Sequence, residues 1–365
     1  MKKLILSVLF INILLSLTAQ NVGIGTSTPK ARLHVADSSV VFTANKTLPF
    51  PAGAAPVSGE GSRMMWYADK AAFRVGNVSY TDVFEDGTHF WDSDSIGNYS
   101  FASGYNTKAK GIYSTAMGFE SYAADFSTCL GYVSHASAPM STAVGIFARA
   151  ENTWSAAYGR GTASGLGSFA SGYDVWAAGD FSTALGYRSK AAGVLSTATG
   201  DSTHAKSYAS FSLGRYNDTI AGSSPAAWVA TDPLLYIGNG SDNNNRSNAA
   251  VVYKNGNVDI NGYTQLGKTS ESAPSIKMKK ITGVSNSAQN NWVNIPHGLT
   301  QSKILAVDII MIVPGFVNLP PSYTYQAGYE FQYQVSSIYI VVINSAANSA
   351  NILSKNFTIL ITYEE

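Results

Sequence analysis

The residues able to do chemistry are few and far apart. The five histidines, His34, His89, His135, His204 and His297, are scattered, and no two stand at the spacing of zinc ligands. Asp92-Ser-Asp94 resembles the start of a calcium loop, yet Ile96 stands where such a loop needs an oxygen. A solvated acidic turn is the simpler expectation. The stretch Ser241-Asp-Asn-Asn-Asn-Arg246 could hold a cation through side-chain oxygens, and reads more simply as an Asn-rich turn. Gly23-Ile-Gly25 and residues 161–167 share only glycine content with phosphate loops: no Gly-Lys-Ser/Thr is present, and neither lies between a strand and a helix. Cys129, the one cysteine, has no His or Asn arrangement to activate it and cannot form an internal disulfide. A Ser-His-Asp triad needs no proximity in sequence, but no nucleophile-elbow motif occurs in a strand–turn–helix context. No catalytic residue, metal ligand or cofactor is assigned, and the chain is not expected to be an enzyme.

The serines have another explanation. Nine times the chain writes Ser, any residue, a small residue, any residue, Gly. The phrases end at Gly104, Gly118, Gly131, Gly145, Gly159, Gly172, Gly186, Gly200 and Gly214, at intervals of thirteen or fourteen. The small residue is Ala in seven copies, Cys129 in one and Ser212 in one. An Ala follows five positions after the Gly in seven copies, from Ala109 to Ala205, with His135 and His204 each directly before such an Ala. A fixed short period implies stacked units sharing one continuous core.

Composition agrees. Charged residues are 13% of the 365, and the formal net charge of +1 offers no long-range field for nucleic acid or an anionic membrane. Residues 1–19 read as a signal peptide: Lys2 and Lys3, an apolar run from Leu4 to Leu17, and a small-residue cleavage site after Ala19. No later segment is long and apolar enough to span a bilayer, since residues 304–313 carry Asp308. The mature chain is expected outside the cell or on its surface.

Each repeat reads as one coil of two short strands and two tight turns. Side chains alternate along a strand, so Ser, the small residue and Gly share one thin face. The variable residues, Phe101, Phe169 and Phe211, five threonines, and Met117, Leu130, Val144, Tyr158, Leu185 and Leu213, share the other. That second face is apolar enough to need cover, which argues for a symmetric oligomer.

The phrase and its period resemble the head repeats of YadA-like trimeric autotransporter adhesins over residues 97–219. The resemblance implies a left-handed parallel β-roll, three chains per head, and adhesion to a host or matrix surface. The stalk and the membrane anchor of that family are not seen in this sequence. The opening at residues 21–35 is similar to secreted fibre-like proteins of Bacteroidetes and to phage tail-fibre relatives, and residues 295–363 are loosely similar to tail-fibre tips.

The expected organisation is therefore all-β: an N-terminal β segment and linker (20–96), the roll (97–219), a β-hairpin connector (220–271) with its turn at Asn255-Gly256, and a C-terminal antiparallel β-sandwich (272–365). Expected sandwich strands are residues 276–281, 292–295, 304–313, 323–333 with a break at Gly328, 338–343 and 357–363. Tyr323, Tyr325, Tyr329 and Tyr333 alternate, and form either a core or interface face or a sugar-stacking surface. The expected function is adhesion or recognition by a homotrimer, its partner a surface glycan or protein. The alternatives are a receptor-binding tip of a phage-tail-like assembly, an ice-binding solenoid, for which paired Thr-x-Thr ladders are missing, and a polysaccharide-active β-helix, for which no carboxylate or Arg cluster is visible.

Overall fold

The computed structural model describes residues 21–80, 86–265, 270, 273–315 and 318–364. The expected leader lies outside these residues. Among them the regular elements are strands, with short 3-10 turns such as Ala68–Lys70 and Gln301–Lys303, and no helix is long and apolar enough to cross a membrane. The chain divides into two compact units, residues 1–188 and 189–365.

The first unit is a solenoid of parallel strands. Each coil has a longer strand, such as Thr115–Phe119, and a shorter one, such as Tyr122–Ala123. Successive coils pair in register, phrase on phrase: Thr115 with Thr128, Ala116 with Cys129, Gly118 with Gly131. Ser and the small residue point into an interior filled by methyl groups, with Ala102, Ala116, Cys129, Ala143, Ala157, Ala170 and Ala184 fully buried. Between the ends of the stack the interior is close-packed around side chains of this size.

The serine does more than fill space. Ser114 Oγ donates to Gly111 O at 2.6 Å, and Ser127, Ser141 and Ser168 make the same bond three positions back at 2.6, 2.6 and 2.7 Å. Each closes the corner before its strand, which gives a buried hydroxyl its partner. Cys129 Sγ likewise donates to Ser134 O at 2.8 Å, and burial pushes its thiol up to about 11. It is a small interior residue, not a thiolate.

At both corners a residue takes the left-handed region. Tyr113, Phe126 and Met140 do so before the serine, and Glu120, Val133 and Phe147 just after the strand. The twist turns the corner N–H toward the preceding coil: Phe126 N–H reaches Ile112 O at 2.7 Å and Val133 N–H reaches Phe119 O at 2.8 Å. The ladder thus continues around the bend. The short coil between Gly159 and Gly172 closes differently: Ala156–Ala163 and Phe169–Ala177 run straight through, with a bulge between Arg160 and Thr162.

The roll starts one coil before the first phrase. Ala72–Val78, the second strand of a hairpin with Gly61–Tyr67, pairs in parallel with Phe101–Tyr105. Arg74 stands there in the small-residue position, beside Ala102. Met65, Tyr67, Ala72, Val78, Phe90, Trp91 and Ile96 form a cap cluster at this end. Near the chain start, Val22–Ile24 pairs in parallel with Leu33–Val35, so a strand precedes the turn as well as following it.

The second unit holds further coils. Thr197–Asp201 pairs with Phe211–Arg215, and Phe211–Arg215 pairs with Pro233–Asn239, where buried Tyr236 takes the small-residue position beside Ser212. A hairpin of Asn248–Tyr253 and Val258–Ile260 follows, with Gly256 at φ +88° in its turn. The C-terminal region has two antiparallel sheets. Ser275–Val284, Asn356–Glu364 and Ile304–Ile312 lie side by side in one; Trp292–Pro296, Tyr339–Asn344 and Phe331–Val335 in the other. Their inward residues Ile309, Met311, Phe331, Ile340, Phe357, Ile359 and Ile361 form one core. The expected strand at 323–333 is shorter: only Phe331–Val335 pairs, because Ser322 and Gly328 take positive φ and turn the segment between them.

Candidate interaction face of the roll

The long strands of the first unit present four columns to solvent. The inner two are the variable positions of the phrase: Thr115, Thr128 and Thr142 in one, Met117, Leu130 and Val144 in the other. A third column follows each glycine. Tyr105 stacks on Phe119 at 5.1 Å, Phe119 on Tyr132 at 4.9 Å, and Tyr173 on Tyr187 at 5.4 Å. The fourth column is the left-handed corner before each serine: Tyr99, Tyr113, Phe126, Met140, Trp154, Gly167 and Phe181. Tyr99 stacks on Tyr113 at 4.9 Å, and Tyr113 on Phe126 at 5.4 Å. Two aromatic ridges therefore flank a trough of threonine and aliphatic side chains.

The fourth column is the informative one. Glycine or asparagine takes positive φ at least cost, and a bulky residue there is strained by about 1–3 kcal/mol. This chain puts a large apolar residue there in six of the seven phrase coils of the unit, and leaves it about half exposed, from 47% at Tyr99 to 57% at Trp154. Stacking between neighbouring rings returns part of that cost, about 0.5–1.5 kcal/mol per pair; the exposed ring faces return none. The column was not singled out from the sequence, although its period is plain once the serine is used as the reference.

The phrase glycines lie within their strands at positive φ, Gly104 at +125° and Gly131 at +140°. Tyr323, Tyr329 and Tyr333 pack against the core of the C-terminal sheets, and Tyr333 Oη donates to Val307 O at 2.7 Å. Tyr325 alone of the four stands in solvent, 91% exposed, with Tyr323 edge-on at 6.4 Å. The four are not brought together as one stacking surface. Asp92 accepts from Gly59 N–H and pairs with His89 Nδ1, both at 2.7 Å, so it braces a turn. Asp242 accepts from the N–H groups of Asn244 and Asn245 and from the Asn245 amide, which with Ser241 hold its carboxyl down to about 2. Among the described residues no three His, Cys, Asp or Glu side chains gather to hold a metal ion. His297 is fully buried; its Nδ1 accepts from Leu299 N–H, leaving Nε2–H to donate to Ser336 O at 3.1 Å.

His204 is the histidine with consequences for pH. Burial, then Lys190, Arg246 and Lys206, lower its pKa to about 4. The unfolded chain binds this proton near 6.5 and the folded one does not, so stability falls as pH drops from 6.5 toward 4. The thermal midpoint of the second unit is expected to decline over that window, and His204→Gln to flatten the decline. An unchanged pH profile in the variant rules the account out.

Residues 95–121 and 163–189 each match the family model of the YadA head domain repeat. Both stretches lie in the parallel solenoid, where one phrase makes one coil. No curated protein matches the chain.

Proposed function

We propose that this chain is an exported, adhesin-like fibre protein. Its rolls assemble as a homotrimer through the aromatic-ridged face, and the trimer attaches to a surface glycan or protein without catalysis. In this reading residues 97–219 are the repeats of the head, to which Ala72–Val78 and Pro233–Asn239 add one further coil each, 220–271 otherwise the connector and 272–365 the tip, where Tyr325 is the exposed ring available to a ligand. The head repeats and the parallel solenoid fit a fibre of this kind.

The observation that carries the trimer is the strained aromatic column. Eight rings of the two ridges, Tyr99, Tyr113, Phe126, Trp154, Phe181, Tyr132, Tyr173 and Tyr187, are each 41–57% exposed. Half of the roughly 150–250 Å² that such a ring can bury, taken eight times, is on the order of 800 Å². The largest apolar patch of a monomer is about 300–600 Å², while a standard interface covers about 800 Å² per partner. The face is the size of an interface.

Light scattering on residues 21–365 tests this. A species of three chains is expected, and Phe126→Glu with Trp154→Glu should dissociate it. A stable parent monomer at micromolar concentration overturns the proposal.

A further inference from the structure

The short strands of each coil carry different chemistry from the long ones. In the second unit Lys190–Ala191 and His204–Ala205 pair in register, Lys190 beside His204. Alternation sends Ala205 into the core and His204 and Lys206 outward together. Neighbouring rungs are about 4.8 Å apart, so the three cationic or imidazole side chains share one small patch. Arg246 closes its border. Its Nη1 donates to Ser202 O at 3.0 Å and Asn217 O at 3.1 Å, while the Asn217 amide holds the His204 backbone from both sides, accepting from N–H at 2.6 Å and donating to O at 3.1 Å.

The patch is positive. The charged groups that act on His204 are Lys190, Arg246 and Lys206, all of them cations. Of the carboxylates nearest in sequence, Asp201 pairs with Arg215 Nε at 3.1 Å and Asp242 is held by the Asn loop, while Asp218 lines a cleft together with Arg246. In a chain of net charge +1 this is a local concentration of charge. The short-strand column of the first unit is engaged instead: Lys108 Nζ lies over the Phe90 ring at 4.4 Å and Arg149 Nη1 faces Glu151 Oε1 at 3.9 Å. Within the patch itself Lys190 and His204 stand on successive rungs with Lys206 beside them, so its donors extend along the coil stack and suit a ligand whose charge also repeats along its length.

We propose that the patch formed by Lys190, His204, Lys206 and Arg246 binds the sulfate or carboxylate groups of a linear anionic polysaccharide. The proposal rests on the reading of the roll as an adhesin-like head and names the class of its ligand. Lysine supplies the ammonium donors, neutral His204 a ring N–H, and Arg246, already fixed to two backbone carbonyls, a preorganised charge at the border. Single-stranded nucleic acid fits less well, because bases need open ring faces. The adjacent ring, Tyr216, has the guanidiniums of Arg215 and Arg246 over it at 5.1 and 5.5 Å.

The test is binding of residues 21–365 to immobilised heparin and polygalacturonate, with dextran and single-stranded DNA as competitors. Salt-sensitive binding to at least one anionic polysaccharide is expected, with dextran inert. Lys190→Ala with Lys206→Ala should weaken it about tenfold, two charge-assisted contacts at somewhat under 1 kcal/mol each. Lys190→Arg with Lys206→Arg should keep it. The proposal falls if the alanine pair binds like the parent, if the arginine pair loses binding, or if DNA displaces the polysaccharide preferentially. Light scattering on the same samples separates the readings: a trimer that ignores both polysaccharides overturns this site alone, and a monomer overturns the head itself.

Discussion

Gly131→Val is expected to leave no cooperatively folded roll. Gly131 lies inside its strand at φ +140°, a region closed to L side chains, and a Cβ there would stand 1.9 Å from Gly145 O of the next coil. Two penalties therefore coincide. The backbone strain is about 1–3 kcal/mol. The overlap is with backbone, so relief requires the coils to part, and parting breaks the ladder that joins Thr128–Tyr132 to Thr142–Ile146. In a stacked fold each coil is held by its neighbours alone, so the lost interface is not replaced. The total exceeds the roughly 4–5 kcal/mol that marks an exceptional substitution. Gly222→Ala is the control: its φ is +81°, but nothing lies within 4 Å of the added carbon, so only about 1 kcal/mol is at stake. Thermal unfolding followed by circular dichroism checks both. A Gly131→Val midpoint within a few degrees of Gly222→Ala would show that coil contact does not require glycine.

That difference marks how far the chain could be read without a structure. The phrase and its period led directly to parallel coils with a thin interior, because Ala and Ser at alternate positions leave few other ways to pack. The role of its glycine was less legible. Alternation alone puts Gly on the inner face beside Ser and Ala; only the observed positive φ shows that each phrase glycine admits the next backbone. The two roll ends were hidden for a related reason. Gly76 stands two repeat lengths before Gly104, but Arg74 and Tyr236 occupy positions where the pattern asks for a methyl group. A motif defined by small residues stops matching where the stack stops needing them.

The interaction face was half legible. The variable positions pointed to an apolar surface needing cover, and the structure adds the corner column whose conformation makes Tyr113, Phe126 and Trp154 costly. In the C-terminal region three of the alternating tyrosines pack on the core, as one of the two readings expected, but Tyr323 does so from a loop before the turn at Gly328 and not from a strand. Period two in sequence need not be a strand when Pro320-Pro321 and a glycine flank it.

Arg74→Met is expected to destabilise the first unit by about 2–3 kcal/mol, the excess of lost charge-assisted bonds over the returned desolvation cost. The side chain is fully buried, and its guanidinium donates to Phe73 O at 2.8 Å, Ser100 O at 3.0 Å, Ser100 Oγ at 2.8 Å and Ala109 O at 3.0 Å. Burial lowers its pKa to about 9, and it remains charged at neutral pH. Two effects oppose each other in the variant. Removing the charge returns a desolvation cost of several kcal/mol. Against this, four charge-assisted bonds of about 1.5–3 kcal/mol each are lost, while Ser100 O, Ala109 O and Ser100 Oγ keep their bonds to Phe73 N–H, Gly97 N–H and Gly97 O. Ser100 O and Ala109 O also accept from Phe73 N–H at 3.0 Å and Gly97 N–H at 3.1 Å, so the guanidinium is a second donor that ties those two ladder ends together. Arg74→Lys should recover little, since one ammonium has three donors and cannot span acceptors on both the long-strand and short-strand sides of the coil. Urea unfolding of the parent and the two variants gives the comparison. Equal midpoints for the parent and Arg74→Met would mean that the coil end needs only a filled volume, and Trp91, whose Nε1 donates to Thr107 O at 2.9 Å in the same cap, would then be the residue that terminates the stack.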